Sequence, residues 1–372
     1  MARGPLAGVR VLEFAGIGPG PFCGMLLADM GADVVRVDRA GDADSLAGLI
    51  CGRGKRSIAL DLKNEEGRAA ALDLIGASHA LIEGYRPGVM ERLGLGPEPA
   101  LQRNPALVYG RMTGWGQEGP LARRAGHDIN YIGLSGALAA IGPADQPVAP
   151  LNLVGDFGGG ALYLALGVVA ALWEARASGA GQVVDCAMVD GSASLMTQFY
   201  QLHTRGMWGL ERGANLLDGG LPYYRTYACA DGKWMTVGAL EPQFYRNLLA
   251  ALELDLADFP QDDRSCHERL TAALTERFAS RTRDEWAAHF AGIDACVGPV
   301  LDLVEAPVHP FNAERANFVE LDGGWQPAPA PRFSRTATAV SGGAPQAGQH
   351  TDAVFAEWLS SEGPAARAGG NR

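Results

Sequence analysis

Five short runs of aliphatic and β-branched residues, at 9–15, 33–38, 57–62, 81–83 and 106–112, punctuate the first third of the chain. Helical stretches separate them. One covers 21–30, and another follows Asn64, which sets a cap ahead of Glu65 and Glu66, where carboxylates meet the positive end of a helix. Strands alternating with helices of about a dozen residues build a parallel, doubly wound sheet. The spacing therefore predicts an α/β domain over 1–205, closed by a strand at 182–187 and a helix at about 191–206. A chain of 372 residues leaves room for a second domain.

The texture changes near Leu221. Strand-like runs at 224–230 and 233–239 are joined by Asp231-Gly232, a strong hairpin signal, and helical stretches follow at 242–252, 267–279 and 283–291. We read 221–310 as a smaller α+β domain, 206–220 as a linker, and the proline-rich 326–332 as a second linker. Val354, Phe355, Trp358 and Leu359 fall at helical spacing, and 362–372 reads as a polar tail. Residues 157–173 carry no charge over 17 positions, at the short limit of a membrane span, but open on three glycines and are flanked by Asp156 and Glu174. A buried core helix is the expected form.

A formal charge of −11 argues against nucleic acid or an anionic membrane as partner, since both are held by clustered Lys and Arg. Only Lys55, Lys63 and Lys233 are lysine; the other 28 basic residues are Arg, whose planar fork suits phosphate. The six cysteines form no CxxC pair and no metal spacing, which fits a reduced protein. Arg10 and Glu13 interrupt any apolar run near the start, and the closing Gly-Gly-Asn-Arg matches no peroxisomal or retention address. The expected compartment is the cytoplasm.

Four segments could carry chemistry. Gly16-Ile17-Gly18-Pro19-Gly20 after the first strand, with Asp38 ending the second, evokes a dinucleotide site, but GxGxxG fails because Pro21 or Cys23 stands at the last position. A tight strand-to-helix turn is the simpler reading. The polar loop 114–126 follows the fifth strand, where α/β sheets place ligands, and leads into Gly126-His127-Asp128-Ile129-Asn130-Tyr131. His127 can give and take a proton near neutral pH. In 152–160, Asp156 stands before the apolar helix, as a cap or as a carboxyl beside free N–H groups able to hold an oxyanion. The glycines behind it would let a thioester come close. Glu241 opens a helix before Pro242, as a first-turn glutamate or a functional one.

Together, GHDINY, LNLVGDFGGG, the stretch around 218–232 and VGALEPQFY resemble the α-methylacyl-CoA racemase branch of the family III CoA-transferase superfamily, over about nine-tenths of the chain. The resemblance implies a large Rossmann-like domain and a small domain, in two chains threaded as an interlocked homodimer, with 311–361 returning to the large domain. It implies His127 and Asp156 as paired acid/base groups, Glu241 orienting the histidine and Asn152 supporting the aspartate. It implies coenzyme A contacts at Arg39, Leu60, Asp61, Leu62, Lys63, Gly84, Tyr85, Arg86, Arg92 and Gly126, His127, Asp128, Ile129, Asn130 and Tyr131. An acyl-CoA is then the substrate, and no metal or redox cofactor is needed.

The activity so implied is epimerisation of a 2-methylacyl-CoA through an enolate, whose oxygen the N–H groups near Asp156 and Gly158 would hold. Met188, Met196 and Met207 read as core residues or as thioethers lining an acyl groove. Two rivals stand beside this. A family III CoA-transferase would use Asp156 as nucleophile, but those enzymes generally carry an aromatic residue in place of His127 and lack Glu241. A non-catalytic CoA-binding protein would have no use for His127, Asn152, Asp156 and Glu241 jointly.

Overall fold

The computed structural model describes residues 4–39 and 49–360, and the chain divides into two compact units. The first comprises Met1–Ala137, Pro150–Met196 and Ala316–Arg372. Its strands β1 (Arg10–Phe14), β2 (Asp33–Arg39), β3 (Arg56–Leu60), β4 (Ala80–Glu83), β5 (Val108–Thr113) and β6 (Gln182–Ala187) form one parallel sheet in the order β3-β2-β1-β4-β5-β6. Neighbours along each strand point to opposite faces. Thus Val11, Val34, Ile82 and Val108 enter one core cluster, while Leu12, Val35, Leu81 and Tyr109 enter the other. Because helices cover both faces, these strands read as continuous apolar runs.

The helices of this part are α1 (Pro19–Asp29), α2 (Glu65–Gly76), α3 (Val89–Arg92), α4 (Pro97–Arg103), α5 (Asp128–Leu134), α6 (Leu162–Ser178) and α7 (Met188–Leu195). The Asn64 side chain caps α2 by accepting the Gly67 N–H at 2.7 Å. Between α5 and α6 lies a π-helical turn, Leu153–Ala161. Asp156 is inside that turn and is no helix cap. The expected core helix is buried on one face only. One face of α6, with Leu164, Val168 and Ala171, is buried in the first core cluster, whereas Leu166 and Trp173 are 67% and 76% exposed. Counted with the π turn, Leu153–Ser178 is long and apolar enough to cross a membrane by composition, yet its inner face is seated in the core of a parallel sheet.

The second unit comprises Leu138–Ala149 and Thr197–Arg315. The helix expected over 191–206 is broken at Met196, so α8 (Thr197–Thr204) starts this unit. An antiparallel sheet of β7 (Tyr224–Ala228), β8 (Trp234–Gly238) and β9 (Val297–Pro299) packs with α9 (Pro242–Ala251), α10 (His267–Ala279) and α11 (Arg283–Phe290) around Tyr227, Leu248, Leu274, Phe278 and Trp286. Gly232 supplies the positive φ of the hairpin turn. The short helices α12 (Glu305–Val308) and α13 (Pro310–Glu314) end the unit. Residues 206–220 are not a linker. Asn215 accepts the Gly209 N–H and donates to the Gly209 and Glu211 carbonyls and to Asp218, which itself accepts from Asn215 and Gly220.

The final segment belongs to the first unit. The stretch expected as a second linker contributes to β11 (Gly324–Pro327), which pairs with β10 (Phe318–Leu321) and is held by Arg53, donating to the Pro327 carbonyl at 2.7 Å. Helix α14 (Thr351–Trp358) follows, and its leading residues satisfy the free edge of β3: Ser57 exchanges bonds with His350, and Thr351 Oγ1 accepts the Ala59 N–H. Trp358 is buried among the second cluster, donates Nε1–H to Asp33 at 2.8 Å and lies under the Arg10 guanidinium. Trp358→Ala is expected to destabilise this unit by about 3–5 kcal/mol in a urea titration, the range for emptying a buried aromatic site. The proposed tail 362–372 lies outside the described residues.

Candidate active site

The order β3-β2-β1-β4-β5-β6 reverses between β1 and β4, and crevices beyond the carboxyl ends of strands open at such a point. A cleft of about 780 Å³ lies there. It is lined by Phe14 and the Gly16–Pro21 turn after β1, Gly84 to Pro87 after β4, and Met112 to Trp115 at the end of β5. Gly126, His127 and Tyr131 line it from the following loop and α5, and Asn152, Asp156 and Phe157 from the π turn. Sequence-distant segments thus bring both expected acid/base groups, and Asn152, into one cleft.

The glycine turn serves this cleft and not a dinucleotide. Gly18, with φ 73°, precedes Pro19 at the start of α1, and a Cβ on it would stand 3.3 Å from Asp156 Oδ2. Asp38, the residue a ribose would need, is buried and committed to Arg36 at 2.8 Å and to the Ser57 hydroxyl.

His127 is set by local bonding. Asn130 Oδ1 accepts the His127 N–H at 3.0 Å, and the His127 carbonyl accepts the Asn130 N–H at 2.8 Å. Tyr131 donates its hydroxyl to the Gly126 carbonyl and meets Trp115 edge-on, 4.7 Å between centroids. The loop is therefore clamped on both sides of His127, whose imidazole stays exposed.

Asp156 is half-buried, and Asn152 donates Nδ2–H to its Oδ2 at 3.1 Å. Burial raises its pKa above the ordinary aspartate value; the Asn152 bond opposes this, Asp128 adds to it and His127 works against it. The backbone N–H of Asp156 goes to Asp128 Oδ2 at 2.7 Å. It is not free for an enolate oxygen, contrary to the reading from sequence. The glycines behind it also serve the protein. A Cβ on Gly159 would lie 2.6 Å from the Ser192 nitrogen, and one on Gly160 2.8 Å from Met188 Cγ. They admit α7, not a thioester. Met188 lines the cleft, while Met207, in the second unit, is 65% exposed and part of no core.

The family model for CoA-transferase family III matches residues 6–351. The chain belongs to this family. Two curated family III relatives are the alpha-methylacyl-CoA racemases of Mus musculus and Homo sapiens, 48% and 44% identical, each aligned over 95% of this chain and 93% of its own length. A succinyl-CoA–D-citramalate CoA-transferase of Chloroflexus aurantiacus is 31% identical over 95% of this chain and 94% of its own. A crystal structure of a CaiB/BaiF family protein from Brucella suis superposes with a TM-score of 0.83, 27% identity and coverage of 96% and 100%.

Against this family III background the remaining positions separate. Gly84, Tyr85, Arg86, Gly126 and Tyr131 line the cleft. Arg39, Lys63 and Arg92 are exposed away from its lining, as is Ile129. Leu60 is buried in the second core cluster, Leu62 packs against that cluster, and Asp61 accepts from Lys63 and Asn64 in a local turn. The side chains of Leu60, Asp61 and Asn130 are thus spent on the protein itself. Glu241, in the second unit, is the exposed N-cap of α9, and its side chain makes no capping bond. Arg124, Trp115, Ile50 and Cys51 line the cleft without having been singled out. The first two lie in the polar loop 114–126, where a ligand was expected; the last two carry no signal in the sequence. Among the described residues no cluster of His, Cys, Asp and Glu could hold a metal.

Proposed function

We propose that the chain is an isomerase, a 2-methylacyl-CoA 2-epimerase that interconverts (R)- and (S)-thioesters by 1,1-proton transfer. The observation that carries this is a histidine and an aspartate of raised pKa lining one cleft, in a family III chain whose racemase relatives reach 48% identity. A thioester acidifies the α-proton, and its removal gives a planar enolate. Inversion then requires a base on one side and an acid on the other, and His127 and Asp156 each serve in both senses. The Asp156 N–H is taken by Asp128, so the donor for the enolate oxygen lies elsewhere in the cleft. Arg86 and Arg124 supply positive charge for the phosphates of coenzyme A. The working form we propose is a homodimer in a reducing compartment such as the cytoplasm.

The test follows (R)-2-methylacyl-CoA in deuterated water. Deuterium at the α-carbon together with inversion supports the proposal. Coenzyme A passed to an added carboxylic acid, without exchange, would make Asp156 a nucleophile and overturn it.

The raised pKa of Asp156 has a consequence for rate. As a base Asp156 must be ionised, so abstraction from the enantiomer it serves is expected to fail on the acid side at a pH above the usual aspartate value near 3.9. Asn152→Ala removes a bond that lowers this pKa, so the acid limb of the exchange profile should move to higher pH. A limb unmoved by that substitution would contradict the assignment.

A further inference from the structure

Asp128 directly follows His127, and its side chain is only 7% exposed. Its Oδ2 accepts the Asp156 N–H at 2.7 Å across 28 residues, while Oδ1 has no hydrogen-bond partner among the described residues. The reason lies in the π turn. The Asn152 carbonyl is taken by Phe157, and Leu151, five residues before Asp156, has φ 57°, so the backbone leaves the helical path there. The Asp156 N–H is an orphan of a helix start, and Asp128 supplies a charged acceptor for it. The fit is close: a Cβ on Gly155 would lie 2.5 Å from Asp128 Oδ2 and 2.8 Å from its carboxyl carbon. Only glycine lets the carboxylate seat on the 155–156 backbone.

We propose that the Asp128 side chain is a positioning residue that sets the gap between the two proton-transfer groups. His127 is joined to Asp128 by a peptide bond and Asp156 by one short hydrogen bond, so a single residue fixes both. This rests on the reading of His127 and Asp156 as the acid/base pair. Donor and acceptor in a proton transfer tolerate little error, and a displacement of about 1 Å can cost about 100-fold.

The experiment compares wild type, Asp128→Ala, Asp128→Asn and the His127→Ala/Asp156→Ala double variant with (R)- and (S)-2-methylacyl-CoA in deuterated water, recording kcat, KM, inversion and exchange, with melting temperature alongside. Asp128→Ala is expected to lower kcat for inversion by about 100-fold with KM changed by less than about threefold. Inversion should fall more than α-deuterium exchange, because misplaced groups still remove a proton but return it poorly. Asp128→Asn keeps an oxygen able to accept the Asp156 N–H, and should recover kcat to within about tenfold of wild type. A raised KM at unchanged kcat would make the side chain a substrate contact and overturn the proposal. So would an asparagine variant as poor as alanine, or inversion and exchange falling together in proportion to lost folded protein. If the alanine variant does not fold, the asparagine variant decides by its kcat and its inversion-to-exchange ratio. Failure of the underlying reading looks different: the wild type would not invert, or the double variant would remain active.

Discussion

His127→Ala and Asp156→Ala are each expected to lower racemisation by about 10²–10⁴-fold, the span for losing one general acid/base. The informative result is what survives. Without His127, Asp156 can still take a proton from the face it serves and return a deuteron to that same face. One enantiomer should therefore exchange without inverting, and the other should do neither. Without Asp156 the pattern should swap between enantiomers. Exchange followed by proton NMR and chirality followed by separation of the released acids give both quantities from one incubation. Two single variants that lose exchange equally for both enantiomers would show that the two groups do not act on opposite sides.

Lys55→Met should produce a large loss of stability. Lys55 Nζ donates to both Glu13 carboxylate oxygens, at 2.8 and 2.7 Å, and to the Pro21 carbonyl of α1, and both side chains are fully buried. A Cβ on Gly24 would meet Glu13 Oε2, so the pair is fitted under the helix with nothing to spare. Removing one member leaves an uncompensated buried charge, at a cost of about 3–5 kcal/mol, or about 10 °C in melting temperature for a unit of this size. The double change Lys55→Met/Glu13→Gln removes the orphan and should recover part of the loss.

The pH dependence of the single variant follows from Glu13. Burial raises its pKa, and Lys55 is the principal force opposing that rise. With Lys55 gone, the folded state holds a proton on Glu13 more tightly than the unfolded state does. Stability should then be lowest above the folded pKa and recover as the pH falls toward the ordinary glutamate value. A flat pH dependence in Lys55→Met would show that Glu13 had found another partner. Because α1 begins at the Gly18 turn against Asp156, the same variant should also slow turnover.

Local regularities were legible without a structure. The 9–15 and 81–83 runs became β1 and β4, the Asn64 cap and the Pro242 helix start stand where the residue types place them, and GHDINY and LNLVGDFGGG mark the loops that carry the candidate site. The linkers were misread for a common reason. Gly- and Pro-rich composition signals an irregular backbone, not a mobile one; polar side chains hold these stretches, Asn215, Asp218 and Arg212 within 206–220 and Arg53 at Pro327.

Short apolar runs alternating with helices, which make a doubly wound parallel sheet, the helix caps and the polar loop at the sheet's carboxyl edge are all written along the chain. These depend on interactions between residues a few positions apart, so they can be read along the chain. Which polar atoms are already spent is settled by folded contacts alone. That Asp38 is consumed by Arg36 and Ser57, that the Asp156 N–H belongs to Asp128, and that Gly159 and Gly160 make room for α7 are matters of through-space contact between segments far apart in sequence. A donor, an acceptor or a missing Cβ looks the same in a sequence whether it faces a ligand or its own fold, and the packing assigns it.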